Sequence, residues 1–326
     1  MTDSYLFRLL CLSMASFFLV HLALGATLSL LAPAAIRLSE RLRPQLAARL
    51  LLLLRLAPTG LSLLMIAGLL APSYLWLEPR TTTEPIGWVC LAAAALGVAV
   101  WSLSITRALR AVGRSLRHIR HCQRTARKIH LRGETAPVWL MEDPAPLVML
   151  AGVLRSRLLI SRKVVSALSA DQLSAVLQHE RAHSRSRDNF KRLLVVLAPG
   201  ILPFSSGFSR LEQAWARVAE WAADDSAAAG DSCRSLTLAA ALVRVARLGA
   251  VPPPPVLVTS LMPNGIDLSA RVDRLLHFVP ATAKPGRVAK LLSGGAGVLL
   301  GASVIALMAQ PVTLHAAHEF LEELIR

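Results

Sequence analysis

The sequence predicts an α-helical membrane protein with four transmembrane helices and an α+β domain inserted between the third and the fourth. Three observations lead there. Hydrophobic residues make up 54% of the 326-residue chain and charged ones only 17%, far more apolar than a water-soluble domain of this size needs. Uncharged runs at 9–36, 56–77, 85–106 and 291–314 each reach the roughly 20 residues that a spanning helix requires. Between the third and fourth runs the pattern changes to short β-type segments and amphipathic helices. The expected organisation is three spans in 1–110, the inserted domain in 111–286, the fourth span in 287–314 and a short external tail in 315–326.

The first run is about twice the length of a signal-peptide core, roughly 7–15 residues, and Asp3 weakens the basic segment before it, so a retained anchor is expected. Charge then orients the spans. The first loop, "RLSERLRPQLAARLLLLLR", is strongly basic, the second, "EPRTTTEP", is slightly acidic, and "RALRAVGRSLRHIRHCQRTARKIHLR" after the third span carries no acid. The positive-inside rule places the first loop and the inserted domain in the cytoplasm, with both termini outside.

The net charge of +16 invites a nucleic-acid reading, but the charge hugs the spans. Arg107, Arg110, Arg114, Arg117, His121, Arg124 and Lys128 recur at steps of three and four, one face of a helix continuing out of the bilayer towards anionic head groups. Direct nucleic-acid binding is not expected. Cys11, Cys90, Cys122 and Cys233 are scattered, giving neither a disulfide framework nor a zinc ribbon, and read as structural thiols.

Past Gly133, "PVWLMED", "PLVMLAG" and "SRLLIS" read as strands of a small sheet. Ser169 with Gln172 three residues later is a capping-box signal, so a helix begins near Ala170. The uncharged run "LLVVLAPGILPFSSGFS" has the look of a fifth span, but Pro199, Gly200 and Pro203 leave only short helical pieces, a loop or interfacial segment. A second helix, "RLEQAWARVAEWAADDSAAAG", ends at Gly230, with Trp215 and Trp221 packing it against neighbours. "VPPPPV" breaks the chain before a last helix, "DLSARVDRLLHF". In the fourth span, "GVLLG" has the small-residue spacing that lets helices approach closely, for packing on the other spans or for a homodimer.

The chemistry lies in the two helices. His179 and His183, in "HERAH", are four apart and project from one helical face, so both imidazoles can hold one zinc ion. Glu180 then stands beside the open position of the metal, placed to take a proton from a water and pass it to a leaving amine. Chance alone yields such a motif on the order of once in a hundred chains of this length. A third ligand is needed, and "EWAAD" offers it: Glu220 can complete the set while Asp224, one turn on, accepts a ring N–H from a ligand histidine.

"LSADQLSAVLQHERAHSRSRDNFKRLL" followed by "EWAADDSAA" resembles the membrane-embedded gluzincin metallopeptidases typified by the β-lactam sensor-transducers of the BlaR and MecR type, over roughly residues 144–276 in local motifs. More distantly it is similar to the HtpX and CAAX-prenyl proteases. The resemblance implies a zincin-like metallopeptidase domain holding one zinc ion per chain through His179, His183 and Glu220. It makes Glu180 the general base and puts Asp224 and Asp188 behind the ligands. "PLVMLAG" looks like the edge strand that holds an extended substrate in this family. "ARVDRLL" resembles its late arginine helix, making Arg271 and Arg274 candidates for contact with the substrate or the transition state. The implied activity is endoproteolysis of a cytoplasmic or membrane-proximal protein, with a winged-helix repressor of the BlaI type as candidate substrate. Membrane-protein quality control and a non-catalytic transducer with a retained metal site are the alternatives. About a dozen residues follow Leu314, so the expected sensor is another protein or the membrane itself. "ILPFSSGF" replaces the usual aromatic and asparagine-containing segment between the ligand helices.

Overall fold

Three helices are long and apolar enough to cross a bilayer in the computed structural model: Tyr5–Glu40 within α1 (Thr2–Glu40), Pro44–Leu77, and α4 (Trp88–Thr125). The structure describes residues 2–79, 86–129, 137–142, 145–153, 156–200, 206–249, 257–261 and 268–278, with 310–313, 315–316 and 319 near the C-terminus. The fourth span expected at 291–314 lies outside the described residues except for 310–313, and the "GVLLG" segment, expected to pack on the other spans or to support a homodimer, lies outside them entirely. The second span is composite, α2 (Pro44–Met65) and α3 (Ala71–Leu77) joined by a π-helical turn at Ile66–Leu70. Leu30, Leu53 and Leu103 stand exposed on the outer faces of these helices, as side chains that meet acyl chains would.

An arginine inside a span is tolerated only when it is paired, and Arg55 in α2 shows how. It is buried, its Nε donates to Glu212 Oε1 at 2.7 Å, and its Nη2 donates to the carbonyls of Val195 and Ala198, each at 3.2 Å. These carbonyls belong to the end of α7 (Asp188–Leu197) and the residue that caps it, so the cation satisfies acceptors that a helix C-terminus leaves open. Glu212 lies on α8 (Ser206–Ala228), which packs directly on the spans. Phe208, Leu211, Ala214, Trp215 and Val218 of α8 form one buried cluster with Leu28 and Ala32 of α1 and Ala47 and Leu51 of α2. Gly207 allows this approach: a Cβ there would lie 2.6 Å from Ser29 Cα.

The third span runs on as one helix to Thr125, as the basic periodicity predicts through Arg124. Lys128 does not belong to that helical face. It lies on β1 (Ala126–Ile129), the first strand of a five-stranded sheet that also contains β2 (Val138–Met141), β3 (Val148–Ala151), β4 (Arg157–Ser161) and β5 (Val258–Ser260), in the order β1-β2-β4-β3-β5. β2 and β4 are parallel, and the other pairs are antiparallel. The three strands read from the sequence are therefore present, but "PLVMLAG" is not the edge: β5 pairs along its outer side, with Leu150 opposite Thr259. The sheet alternation sends Val148 to a core shared with α6 (Ala170–Ser186), α9 (Ser232–Arg247) and α10 (Leu268–Leu276), and sends Met149 and Ala151 to the opposite face against Ile119 and Cys122 of α4. With both faces covered, every residue of β3 is buried, as expected of a strand packed on two sides. A short helix, α5 (Arg162–Ala167), leads from β4 into α6.

Candidate active site

The helix that carries "HERAH" starts where its cap residue dictates. Gln172 N–H donates to Ser169 Oγ at 3.2 Å and Ser169 N–H donates to Gln172 Oε1 at 3.1 Å, a reciprocal capping box. From there the 3.6-residue period carries Val176 and Leu177 into the interior together with His179, Glu180 and His183. The helix stops at Arg187, whose φ of 55° and ψ of 43° are left-handed. For a residue with a Cβ that conformation costs about 1–2 kcal/mol, and it reverses the chain so that Asp188, the first residue of α7, folds back onto His183.

The second ligand helix, α8, is held by the membrane cluster on one side and lies across α6 on the other. Glu220 and Asp224, one turn apart, thus face the two histidines. His183 Nε2 is 3.2 Å from His179 Nε2, His179 Nε2 is 3.5 Å from Glu220 Oε2, and His183 Nε2 is 3.5 Å from Glu220 Oε1. Zinc bonds of about 2.0–2.1 Å at tetrahedral angles set neighbouring donors about 3.3–3.5 Å apart. The three residues therefore converge at the right spacing, with one donor atom from each within 4.8 Å of the others.

The remaining polar atoms support the same fit. Each ring turns its Nε2 inward because its Nδ1 faces a carboxylate, Asp224 Oδ1 at 2.9 Å for His179 and Asp188 Oδ2 at 2.7 Å for His183. Such partners fix the tautomer and orientation of a ligand histidine. Both oxygens of Glu180 are buried with no hydrogen bond among the described residues, a costly arrangement for a carboxylate unless a metal-bound water answers it.

Charges within the site are tuned by one another. Burial pushes the Glu180 carboxyl up to about 7, against the pull of His179 and His183. Burial alone would favour a neutral His183, but Glu220, Asp188 and Glu180 outweigh it and hold the ring's pKa at about 10. His179 is raised too, by Asp224 and Glu220 against its burial. Glu220 is held well below the usual carboxylate range, burial being overcome by His183, His179 and Arg271. Asp224 falls to about 2 because Arg271 and His179 overcome its burial, and Asp188 to about 2 because His183 and Lys191 do the same. A ligand histidine must be deprotonated to bind zinc, so the metal has to displace the proton of His183. Zinc affinity is expected to rise by up to about tenfold per pH unit between about pH 7 and about pH 10, with proton release measurable calorimetrically in two buffers. A flat profile would contradict these site electrostatics.

Residues 116–248 match the model of Peptidase family M48. The matched stretch is less than half of the chain, yet it contains both helices just described, and it supports a zincin metallopeptidase. The M48 peptidases are zinc-dependent, in keeping with the donor set of His179, His183 and Glu220. No curated protein matches the chain.

Arg271 lies beyond the M48 match, and its guanidinium pairs with groups of the chain itself. It is buried, its Nε and Nη2 donate to the two oxygens of Asp224 at 2.9 and 2.7 Å, its Nη1 donates to the Leu261 carbonyl at 2.7 Å, and the same Nη1 lies 3.2 Å from Glu220 Oε2. It thereby ties together Asp224 and Glu220, the two carboxylates of α8 that face the histidines. Arg274 is turned away: its Nη2 donates to Asp225 Oδ1 at 2.6 Å and its guanidinium lies 5.7 Å from the Trp221 ring centroid. Trp215 is buried in the α8–span cluster, as its packing role predicts, and Trp221 packs against that cluster half-buried.

Two contributors escape a reading by motif. Asn189 Nδ2 donates to the carbonyls of Leu150 and Gly152 at 2.9 and 3.0 Å, tying α7 to β3. Lys191 Nζ donates to Asp188 Oδ1 at 2.8 Å. The signal that could have found Lys191 is its place three residues after Asp188, on the same helical face.

Proposed function

We propose that the protein is a membrane-bound zinc-dependent endopeptidase that cuts a cytoplasmic or membrane-proximal protein. The observation that carries this is Glu180, a fully buried carboxylate with no hydrogen bond among the described residues, beside three donors at tetrahedral spacing. A purely structural zinc site closes its fourth position with a protein ligand, and a non-catalytic transducer has no use for a base there. Zinc, when bound, lowers the pKa of water and polarises a carbonyl. Glu180 accepts the proton of the attacking water and delivers it to the leaving amine. Asp224 and Asp188 hold the imidazoles in register, and Arg271 keeps Asp224 and Glu220 anionic.

His179, Glu180, His183 and Glu220 are all 3% exposed or less, so a substrate reaches them only when the covering elements part. An extended peptide pairs with β3 only after β5 yields its place. The charge of the loops supports an active site on the cytoplasmic side of a bacterial inner membrane, with both termini outside. The resemblance to the sensor-transducers favours regulated cleavage of a BlaI-type repressor. The packing of α8 on α1 and α2 favours the second role, quality control of membrane proteins, since a site close to the apolar helices suits substrates held in a bilayer.

The protein purified in detergent is expected to carry one zinc per chain and to cut casein or a BlaI-type repressor. It should lose that activity to a chelator and regain it with zinc. Cleavage of one repressor bond selects signalling; degradation of unfolded membrane proteins at many bonds selects quality control. Full turnover by metal-free protein would sink both.

A further inference from the structure

A second set of metal-binding side chains lies on the other face of the sheet. His118 and Cys122, one turn apart near the C-terminal end of α4, meet Met149 of β3: His118 Nε2 is 3.4 Å from Met149 Sδ and 3.6 Å from Cys122 Sγ. Cys122 keeps its thiol, and Cys122 and Met149 are 6% and 2% exposed, among Ile119, Met141, Leu147 and Leu159. We propose that His118, Cys122 and Met149 form a binding site for a soft monovalent cation, copper(I), which joins α4 to β3.

The two nitrogen–sulfur separations suit three-coordinate binding. Metal–nitrogen and metal–sulfur bonds of about 2.0 and about 2.3 Å, opened to trigonal angles, place N and S about 3.7 Å apart, close to both separations. The ligand types choose the metal. Zinc takes thiolate, imidazole and carboxylate, whereas a thioether beside a thiolate selects copper(I). Charge points the same way: copper(I) with one thiolate is neutral and suits an apolar cluster, while a divalent ion would leave a net positive charge buried. His118 is only half-buried, which leaves a route for the ion.

The site is also connected. Met149 precedes Leu150, whose carbonyl is held by Asn189, and Asn189 follows the Asp188 that grips His183. Copper(I) bound here would fasten the third span to the strand that adjoins the zinc helices.

The test is copper(I) titration of the zinc-saturated protein against a chromophoric chelator, with X-ray absorption of the copper bound. Wild type is expected to take up one copper(I) per chain with one nitrogen and two sulfur neighbours. Met149→Leu, which preserves packing volume, should bind at least about tenfold more weakly and show one sulfur. Cys122→Ser should lose the site. Equal affinity in wild type and Met149→Leu would overturn the proposal, as would nitrogen and oxygen neighbours alone, which would place the copper at His179, His183 and Glu220. Should Cys122→Ser fail to fold, Met149→Leu decides.

Discussion

Glu180→Gln is expected to keep its zinc and lose turnover by on the order of 10²–10⁴-fold, the range that a positioned proton-transfer group supplies. The side chains are nearly isosteric, and among the described residues neither oxygen of Glu180 makes a hydrogen bond that the amide would break. The metal donors His179, His183 and Glu220 are untouched, so zinc content should stay at one per chain. Folding should hardly suffer, since burial already disfavours the charged carboxylate and lifts it to about 7; the uncharged amide relieves that penalty. The measurement is kcat on casein or a repressor, with zinc quantified in the same sample. Retained zinc and unchanged kcat would remove Glu180 from the chemistry and the peptidase reading with it.

Arg271→Leu has the second largest expected effect, and it falls on stability and metal together. Removing the guanidinium leaves Asp224 buried without its two donors and strips Glu220 of a cation 3.2 Å away. Breaking a buried pair by deleting one partner costs about 3–5 kcal/mol, seen as a fall in melting temperature on the order of 10 °C. Asp224 also orients His179, and loss of such a partner weakens zinc binding by about 10- to 100-fold. Arg271→Lys should recover part of the stability, since it restores the charge but not the two-pronged geometry. A leucine variant that melts with wild type and holds zinc as tightly would show that the carboxylates need no arginine.

What the sequence disclosed was periodic. His179 with His183 and Glu220 with Asp224 are each one helical turn apart, so a 3.6-residue repeat announces that they share a face. The capping box of Ser169 and Gln172 is equally local. Contacts between distant segments left no such mark: Arg271 reaches Asp224 across 47 positions and Arg55 reaches Glu212 across 157, and nothing in either stretch names its partner. β1 and β5 are only four and three residues long, too short for an alternation to declare itself, so Lys128 reads as helix and β3 as an edge. Asp188 lay between. Its place five residues past His183 was visible, but its hydrogen bond depends on the left-handed Arg187, a conformation that residues with a Cβ rarely adopt.

The packing of α8 bears on what could ever be purified as the working unit. One helix presents Glu220 and Asp224 to the two histidines and Phe208, Leu211, Trp215 and Val218 to the apolar helices, with Glu212 answering Arg55 of α2. Cutting the chain near residue 111 to free a soluble enzyme would bare that apolar stripe and orphan Glu212, while the ligand helix lost its wall. The helices that carry the candidate site and the long apolar helices are one solid, and the latter count among the parts that shape the cluster of His179, His183 and Glu220.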